Sequence, residues 1–297
     1  MIRKAVIPAA GLGTRMLPLT KSQPKEMLPL GRKPCIQYIV EELADAGITQ
    51  ILFITGQKKR AIEDHFDKDT GLEKMLSMSG QQDILEELKF HDLDVSYFYT
   101  RQSVPQGLGH AVGCARDFIC GEPFVIALGD SIIHSDEDRS LLKRMMDQSE
   151  ADSGSFVIGT QSVPLGDVHK YGMIKPGKQG TDKCGGTVEI EDLIEKPSAG
   201  QTPSTLAIAA RYVMPYRIFD ALERTSPGKG GEIQLTDAIR LLLREGTKGY
   251  SVSLTGREKR YDIGNIRSYY EAFVDFALED EKYGYQLKQY LIQKFHL

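Results

Sequence analysis

Residues 5–30 read AVIPAAGLGTRMLPLTKSQPKEMLPL, and the order of residue types in this stretch sets the expectation for the fold. A short apolar run stops at Pro8 and gives way to Ala9-Ala10-Gly11-Leu12-Gly13-Thr14-Arg15, after which Lys21 and Lys25 stand among prolines. Gly11 and Gly13 let the backbone approach a ligand without side-chain collision. Thr14 and Arg15 then offer a hydroxyl and a fork of donors. A glycine-rich turn after a strand either cradles phosphates with its N–H groups or simply turns the chain tightly into the next element. The residues of this loop alone leave both readings open.

Outward from the loop, strand and helix patterns alternate. KAVIPA reads as a strand, and CIQYIVEELADAG as a helix with Ile36, Ile39, Val40 and Leu43 on one face and Gly47 as its stop. QILFIT, VSYFYT and FVIALGD read as further strands, with the helical HAVGCARDFI between the last two. Strands that alternate with helices imply crossover units. The expected fold is therefore α/β, with a Rossmann-like, mainly parallel sheet covered by helices on both faces. Ligands of such sheets gather beyond the carboxyl ends of the strands. Pro8 to Gly11, Arg101-Gln102 and Gly129-Asp130 fall at such ends.

Residues 67–92 are charged and helical, and read as an insertion over the sheet that would serve as a lid. After about residue 165 the pattern changes. YGMIKPGKQGTDKCGGTVEIEDLIEKP predicts a hairpin with a glycine-rich tip, TLAIAARYVMP a strand, GEIQLTDAIRLLLREG a helix, and the tail from Ile266 more helix. With no repeat and no linker, one α/β body is expected. Its parts are a nucleotide-binding core over 1–165, a smaller β-rich, sugar-binding lobe over 166–265 and a C-terminal helix over 266–297.

The 297 residues carry a net charge of −4, which argues against a general nucleic-acid binder. Any polyanion site must then be a local cluster of cations. No stretch approaches the roughly 20 apolar residues of a bilayer span, so no membrane partner is expected. The four cysteines lack zinc-ligand spacing and fit a reducing compartment, which together with the absence of a signal-peptide pattern predicts a cytoplasmic protein.

Two familiar phosphate motifs fail at the loop. A P-loop needs a lysine at a spacing from its glycines that is not met here, and a dinucleotide turn needs a third glycine where Met16 stands. AAGLGTRMLPLTKSQPKEMLPL instead resembles the signature of the sugar-nucleotide pyrophosphorylases, most closely the bacterial UTP-glucose-1-phosphate uridylyltransferases. The resemblance continues through RQSVPQGLGHA, ALGDSII, YGMIKP, IEKP, GGEIQLTDAI and KRYDIGN, over about residues 3–265.

That resemblance implies a Mg²⁺-dependent joining of UTP and glucose 1-phosphate into UDP-glucose and pyrophosphate, by a homodimer or higher homo-oligomer. Its physical problem is charge, since one anion must attack another. The sugar phosphate is already ionised near neutral pH, with a second pKa of about 6, so no general base is required. Catalysis then rests on positioning and on cations. Carried over residue by residue, the resemblance gives Arg15 and Lys25 the triphosphate, with Ala9, Ala10, Gly11, Gly13 and Thr14 as its backbone cradle. Glu26, Gln102 and Gly107 go to the uracil end, and Gly172, Glu195 and Ala210 to the sugar. Lys196 goes to the sugar phosphate, and Asp130 and Asp262 to Mg²⁺. Lys21 reads equally well as solvated surface, and His110, inside a helical pattern, as packing.

Two positions and one stretch depart from the family pattern, the stretch being IRSYYEAF after YDIGN, where a glycine-containing continuation is usual. Ser131 stands where a second aspartate is usual, and Ala210 where a glycine is usual. The first removes a carboxylate from the expected metal site, and the second sets a methyl group against the expected sugar. These departures leave room for a nucleotide-sugar binder without turnover. A thymidylyltransferase of the same fold is a nearer alternative, and an NAD-dependent oxidoreductase a remote one.

Overall fold

The structure, a computed structural model, describes residues 1–177 and 184–296; the expected glycine-rich hairpin tip lies largely outside them. The strands of the amino-terminal half are β1 (Lys4–Pro8), β2 (Pro29–Leu30), β3 (Lys33–Pro34), β4 (Gln50–Thr55), β5 (Ser96–Arg101), β6 (Phe124–Ala127) and β7 (Ser131–Ser135). They are followed by β8 (Phe156–Ser162), β9 (Gly172–Pro176), β10 (Thr187–Glu195), β11 (Leu206–Met214), β12 (Gly249–Ser253) and β13 (Glu258–Asp262). The helices are α1 (Cys35–Asp45), α2 (Arg60–Phe66), α3 (Thr70–Met78), α4 (Gln82–Glu87), α5 (Leu108–Gly113) and α6 (Arg116–Ile119). Later in the chain come α7 (Leu141–Ala151), α8 (Ile218–Arg224), α9 (Leu235–Arg244), α10 (Ile266–Glu279) and α11 (Gly284–Phe295).

The period of two along the strands splits the core into two layers. Ala5, Ile7, Ile51, Phe53, Val125 and Ala127 face a layer closed by α1, α7 and α10. Val6, Leu52, Ile54, Phe124 and Ile126 face one closed by α5, α8 and α9. Burial of both faces explains why these strands read as continuous apolar runs. The nine-stranded sheet has the order β5-β4-β1-β6-β11-β8-β12-β10-β9. β5, β4, β1 and β6 are parallel, as expected. Beyond them the sheet is mixed: β11 runs antiparallel to both β6 and β8, and β10 antiparallel to β12 and β9.

The parallel block puts the ends of β1 and β6 side by side, so the glycine loop and Asp130 leave the sheet together. Just beyond, β7 pairs antiparallel with β13 in a two-stranded sheet that sets Asp262 opposite Ser131. Ile263 N donates to Asp130 O at 3.0 Å, closing that corner.

Three expectations change. Residues 67–92 are helical, but they pack at the sheet edge, where Phe90 stacks on His65 and meets Phe66 edge-on. None of the described residues lining the central cleft comes from this segment, so the structure does not support a lid. The helix expected from Gly231 begins at Leu235, because Ile233 N donates to Gln106 O and Ile233 O accepts from Gly109 N, each at 2.8 Å. Those bonds commit the backbone to the loop that precedes α5.

The third change concerns Ala210, which is buried outside the residues that line the cleft. It lies in a bulge of β11, where the pairing register with β8 shifts between Ile208 and Tyr212, and adopts a left-handed φ of 62°. The neighbouring Arg211 is fully buried, and its guanidinium donates to both Glu42 carboxylate oxygens, Nε to Oε1 at 3.0 Å and Nη2 to Oε2 at 2.6 Å. It also reaches Ser131 O at 3.0 Å, tying β11 to α1 and β7. The glycine usual at 210 thus answers a backbone need. A left-handed alanine costs roughly 1–2 kcal/mol, and glycine gives back roughly 0.5–1 kcal/mol through unfolded-state entropy. Ala210→Gly should therefore raise the unfolding free energy by roughly 0.5–1 kcal/mol in urea titration; a loss of stability would show that the alanine fits its site without strain.

Candidate active site

A cleft of about 500 Å³ opens at the carboxyl ends of β1 and β6. Ala10, Gly11, Gly13, Thr14, Arg15, Lys25, Gln102, Gly107 and Asp130 all line it. These residues come from four separate stretches of sequence, and the parallel strands bring them together. Ala9 lies just beneath, its N–H donating to Ile54 O at 2.8 Å and continuing the β1–β4 ladder. Gly13 takes the left-handed φ of 66° that turns the loop into the short helical turn Thr14–Met16, and Thr20 Oγ1 donates to Gly13 O at 2.8 Å.

Lys25 runs beneath this loop: a methyl group placed on Gly11 would lie 3.9 Å from Nζ. Its ammonium donates to Asp130 Oδ2 in a close ion pair with little exposure on either side. Burial alone would lower the Lys25 pKa, but Asp130, then Glu26 and Asp262, outweigh it and raise the pKa. Burial pushes the Asp130 carboxyl up, yet Lys25 and Arg260 bring it below the usual carboxylate range. Both groups therefore stay charged around neutral pH.

Arg15 closes the same corner. A methyl on Gly264 would meet Asp262 Oδ1 at 2.7 Å and Arg15 Nη2 at 3.2 Å, so glycine at 264 lets Arg15 and Asp262 approach. Asp262 Oδ1 accepts from Gly264 N, and its Oδ2 from Arg260 Nη2, each at 2.8 Å. Arg260 also donates to Ser131 Oγ at 2.7 Å and lies over the Tyr171 ring at 5.2 Å. The buried Ser131 side chain thus faces Arg260.

Asp130 and Asp262 form a pair of carboxylates at one corner, and no cluster of three or more His, Cys, Asp or Glu residues occurs among the described residues. Two carboxylates beside a cleft lined by Arg15 and Lys25 suit Mg²⁺, which keeps several waters and commonly takes its other oxygens from phosphates. The donor set fits that ion.

Gln102 is buried except for its face on the cleft. Gly107, with φ of 97°, has no room for a side chain, because a methyl there would lie 2.7 Å from Ile233 O. The residues assigned to the sugar lie outside this cleft lining; among them, Gly172 and Glu195 are direct partners across β9 and β10. Glu195 Oε2 accepts from Thr236 Oγ1 at 2.7 Å, and a methyl on Gly172 would lie 3.1 Å from that oxygen. Lys196 follows with a left-handed φ of 45°, its half-exposed ammonium 3.3 Å from Glu195 Oε1.

Like Ala210, Glu26 turns away from the cleft. Glu26 is buried against Lys59, Nζ donating to Oε2 at 2.7 Å, and lies outside the cleft lining. Burial raises the Glu26 pKa, with Lys59 and Lys25 opposing. Sequence reading also missed Glu232 on the cleft wall, Thr236 on Glu195, and Arg260. Arg260 was within reach of the sequence: it stands two positions before Asp262, and alternate strand residues share a face.

Residues 4–279 match the nucleotidyl transferase family model. A Staphylococcus epidermidis protein named UTP–glucose-1-phosphate uridylyltransferase is 46% identical over 292 residues, covering 98% of each chain. A Staphylococcus saprophyticus protein named UTP–glucose-1-phosphate uridylyltransferase 2 is 46% identical, covering 98% of this chain and 97% of its own. Among solved structures, UTP-bound UGPase from Acinetobacter baumannii superposes with a TM-score of 0.89 at 34% identity, over 98% of this chain and 99% of that one. A UDP-glucose pyrophosphorylase complexed with UDP-glucose superposes with a TM-score of 0.84 at 36% identity, over 94% of this chain and 100% of that one.

The Glu26–Lys59 pair provides a test of the floor of the site. Removing one member strands a buried charge, at a cost of about 3–5 kcal/mol. Lys59→Met should lower the urea midpoint accordingly, and Glu26→Leu combined with Lys59→Met should recover most of the loss. Equal stability of the single variant and the parent would mean that Glu26 is solvated rather than paired.

Proposed function

The chain belongs to the nucleotidyl transferase family, and we propose that it transfers UMP from UTP to glucose 1-phosphate, releasing pyrophosphate and forming UDP-glucose. The observation that carries this reading is the cluster of Arg15, Lys25 and Asp130 around the Gly11–Gly13 backbone at the ends of β1 and β6. Relatives over nearly the full length carry the same activity in their names.

In this reading a phosphate oxygen of glucose 1-phosphate forms a bond to the α-phosphorus of UTP. The bond from that phosphorus to the oxygen bridging to the β-phosphate breaks, and pyrophosphate leaves with the electron pair. No proton must be abstracted, because the attacking phosphate is ionised. The N–H groups of Ala10, Gly11, Gly13 and Thr14 and the cations Arg15 and Lys25 hold the triphosphate and oppose its charge, while the Ala9 N–H stays in the strand ladder. Gln102 and Gly107 meet the uracil, while Gly172 and Glu195 meet the sugar hydroxyls. Lys196 pairs with the sugar phosphate, and its half-exposed ammonium is available to a second anion. Asp130 and Asp262 would hold Mg²⁺, which when bound would neutralise charge on the phosphates. Ala210 shapes the bulge of β11 within the sugar lobe.

The same reading extends to the setting of the enzyme. The four cysteines are unpaired, which suits a reducing cytoplasm. No helix among the described residues is long and apolar enough to cross a membrane. Tyr270, Phe273, Tyr285 and Phe295 expose apolar surface on α10 and α11, suited to contact between copies in a homodimer or larger homo-oligomer.

Incubation with UTP, glucose 1-phosphate and Mg²⁺ should release pyrophosphate and UDP-glucose in equal amounts. No product at saturating substrates would overturn the proposal, and faster turnover with dTTP would move the enzyme to the thymidylyltransferases. Lys196→Ala should raise the KM for glucose 1-phosphate roughly 10- to 100-fold, the loss of one charge-assisted bond, with little change in the KM for UTP. An unchanged KM for the sugar phosphate would remove Lys196 from the site.

A further inference from the structure

His110 is not part of the cleft lining, yet it touches a residue that is. Its Nδ1 lies 2.8 Å from Gln102 Nε2, and Gly107 O lies 3.2 Å from the same nitrogen. A carboxamide nitrogen only donates, and the Gly107 carbonyl only accepts. The amide must therefore turn its nitrogen toward these two partners, because the flipped arrangement would set Gln102 Oε1 against the Gly107 oxygen. His110 Nδ1 must then accept, which is the tautomer with the ring proton on Nε2. Gln102 Oε1 has no hydrogen-bond partner among the described residues, and Gln102 lines the cleft.

From this geometry we propose that His110 is a positioning residue that makes the enzyme select uracil against cytosine. The inference rests on the uridylyltransferase reading. With its nitrogen held by His110 and Gly107, Gln102 presents an acceptor to the base. Uracil carries a donor at N3 and satisfies that oxygen. Cytosine carries a lone pair at N3, so the same oxygen would face another acceptor and both would lose their hydrogen bonds on desolvation. Thymine shares the N3 donor, so the device separates uracil and thymine from cytosine and leaves the sugar of the nucleotide to other contacts.

The loop around this pair is built to hold it. Gln102 N donates to Thr55 O at 2.8 Å, extending the β4–β5 ladder by one residue. Gly109 and Gly107 both press on Ile233, where an added methyl on either would lie within 2.8 Å of the carbonyl oxygen. The close fit fixes the start of α5, and with it the distance from His110 to Gln102. His110 itself is only partly buried, so its substitution leaves the core largely intact.

The test compares His110→Asn with His110→Leu, two side chains of similar shape of which only the first carries an acceptor near the position of Nδ1. The readout is the ratio of kcat/KM for UTP to that for CTP, with KM and kcat resolved and with UTP and CTP binding measured by calorimetry. His110→Leu should lower the UTP/CTP ratio about tenfold, the value of one polar contact in base discrimination, mainly through a higher KM for UTP. His110→Asn should keep most of the parent's ratio. If His110→Leu fails to fold, His110→Phe replaces it with the same expectation. A parent enzyme that turns over UTP while its acceptor-free variant keeps the full UTP/CTP ratio overturns the inference and leaves the activity standing. A parent that turns over neither nucleotide overturns the activity itself, and equal losses with UTP and CTP reduce His110 to a structural role.

Discussion

Two adjacent parallel strands end on opposite charges, and the active-site corner is organised around that contact. Lys25 comes from the loop after β1 and Asp130 from the turn after β6, 105 residues apart in sequence, yet they form one ion pair. Neighbouring strands lie about 5 Å apart, so loops that leave at the same end must share space. A glycine loop leaves that space open to a ligand, and the charges decide which kind. The pair costs desolvation, but each member keeps the other ionised, so both are ready for partners of greater charge. A triphosphate is such a partner for the lysine, and a divalent cation for the aspartate.

A second layer of residues fixes these groups without lining the cleft. Arg260 links Asp262 to Ser131, Arg211 links β11 to Glu42, and Lys59 neutralises Glu26 beneath the loop. Each is a cation paired inside the fold rather than offered to a ligand. That division explains how a chain with a net charge of −4 keeps a cationic corner. The mixed half of the sheet orders the residues proposed to meet the sugar. Pairing of β9 with β10 sets Gly172 against Glu195, and α9 brings Thr236 onto the same carboxylate.

Much of this was legible in the sequence where the signal is local. Ile36, Ile39, Val40 and Leu43 recur at helical spacing and are all buried on α1, and Gly47 ends the turn with φ of 90°. The apolar runs of β1, β4 and β6 predicted strands buried on both faces, and the loops after β1, β5 and β6 line the cleft. Strand order was not legible beyond β6, because the insertion of β11 antiparallel between β6 and β8 rests on pairings distant in sequence. Ala210 read as a methyl facing the sugar, since no sequence pattern announces a left-handed alanine in a bulge. The resemblance gave Glu26 the uracil end, but its carboxylate is buried against Lys59, a partner that lies in a separate stretch of sequence. Residues 67–92 read as a lid from their charge and helical pattern, whereas Phe90 anchors them at the sheet edge.

The central claim is that cations gathered at an opened backbone overcome the repulsion between two anionic substrates. Pyrophosphate release by the Arg15→Ala, Lys25→Ala double variant tests it most directly, with circular dichroism as the check on folding. Each preorganised donor of this kind is worth roughly 10²–10³ in rate, so the account predicts a folded protein slowed by at least about 10³-fold at saturating UTP, glucose 1-phosphate and Mg²⁺. A folded double variant that runs at the parent's rate would contradict it.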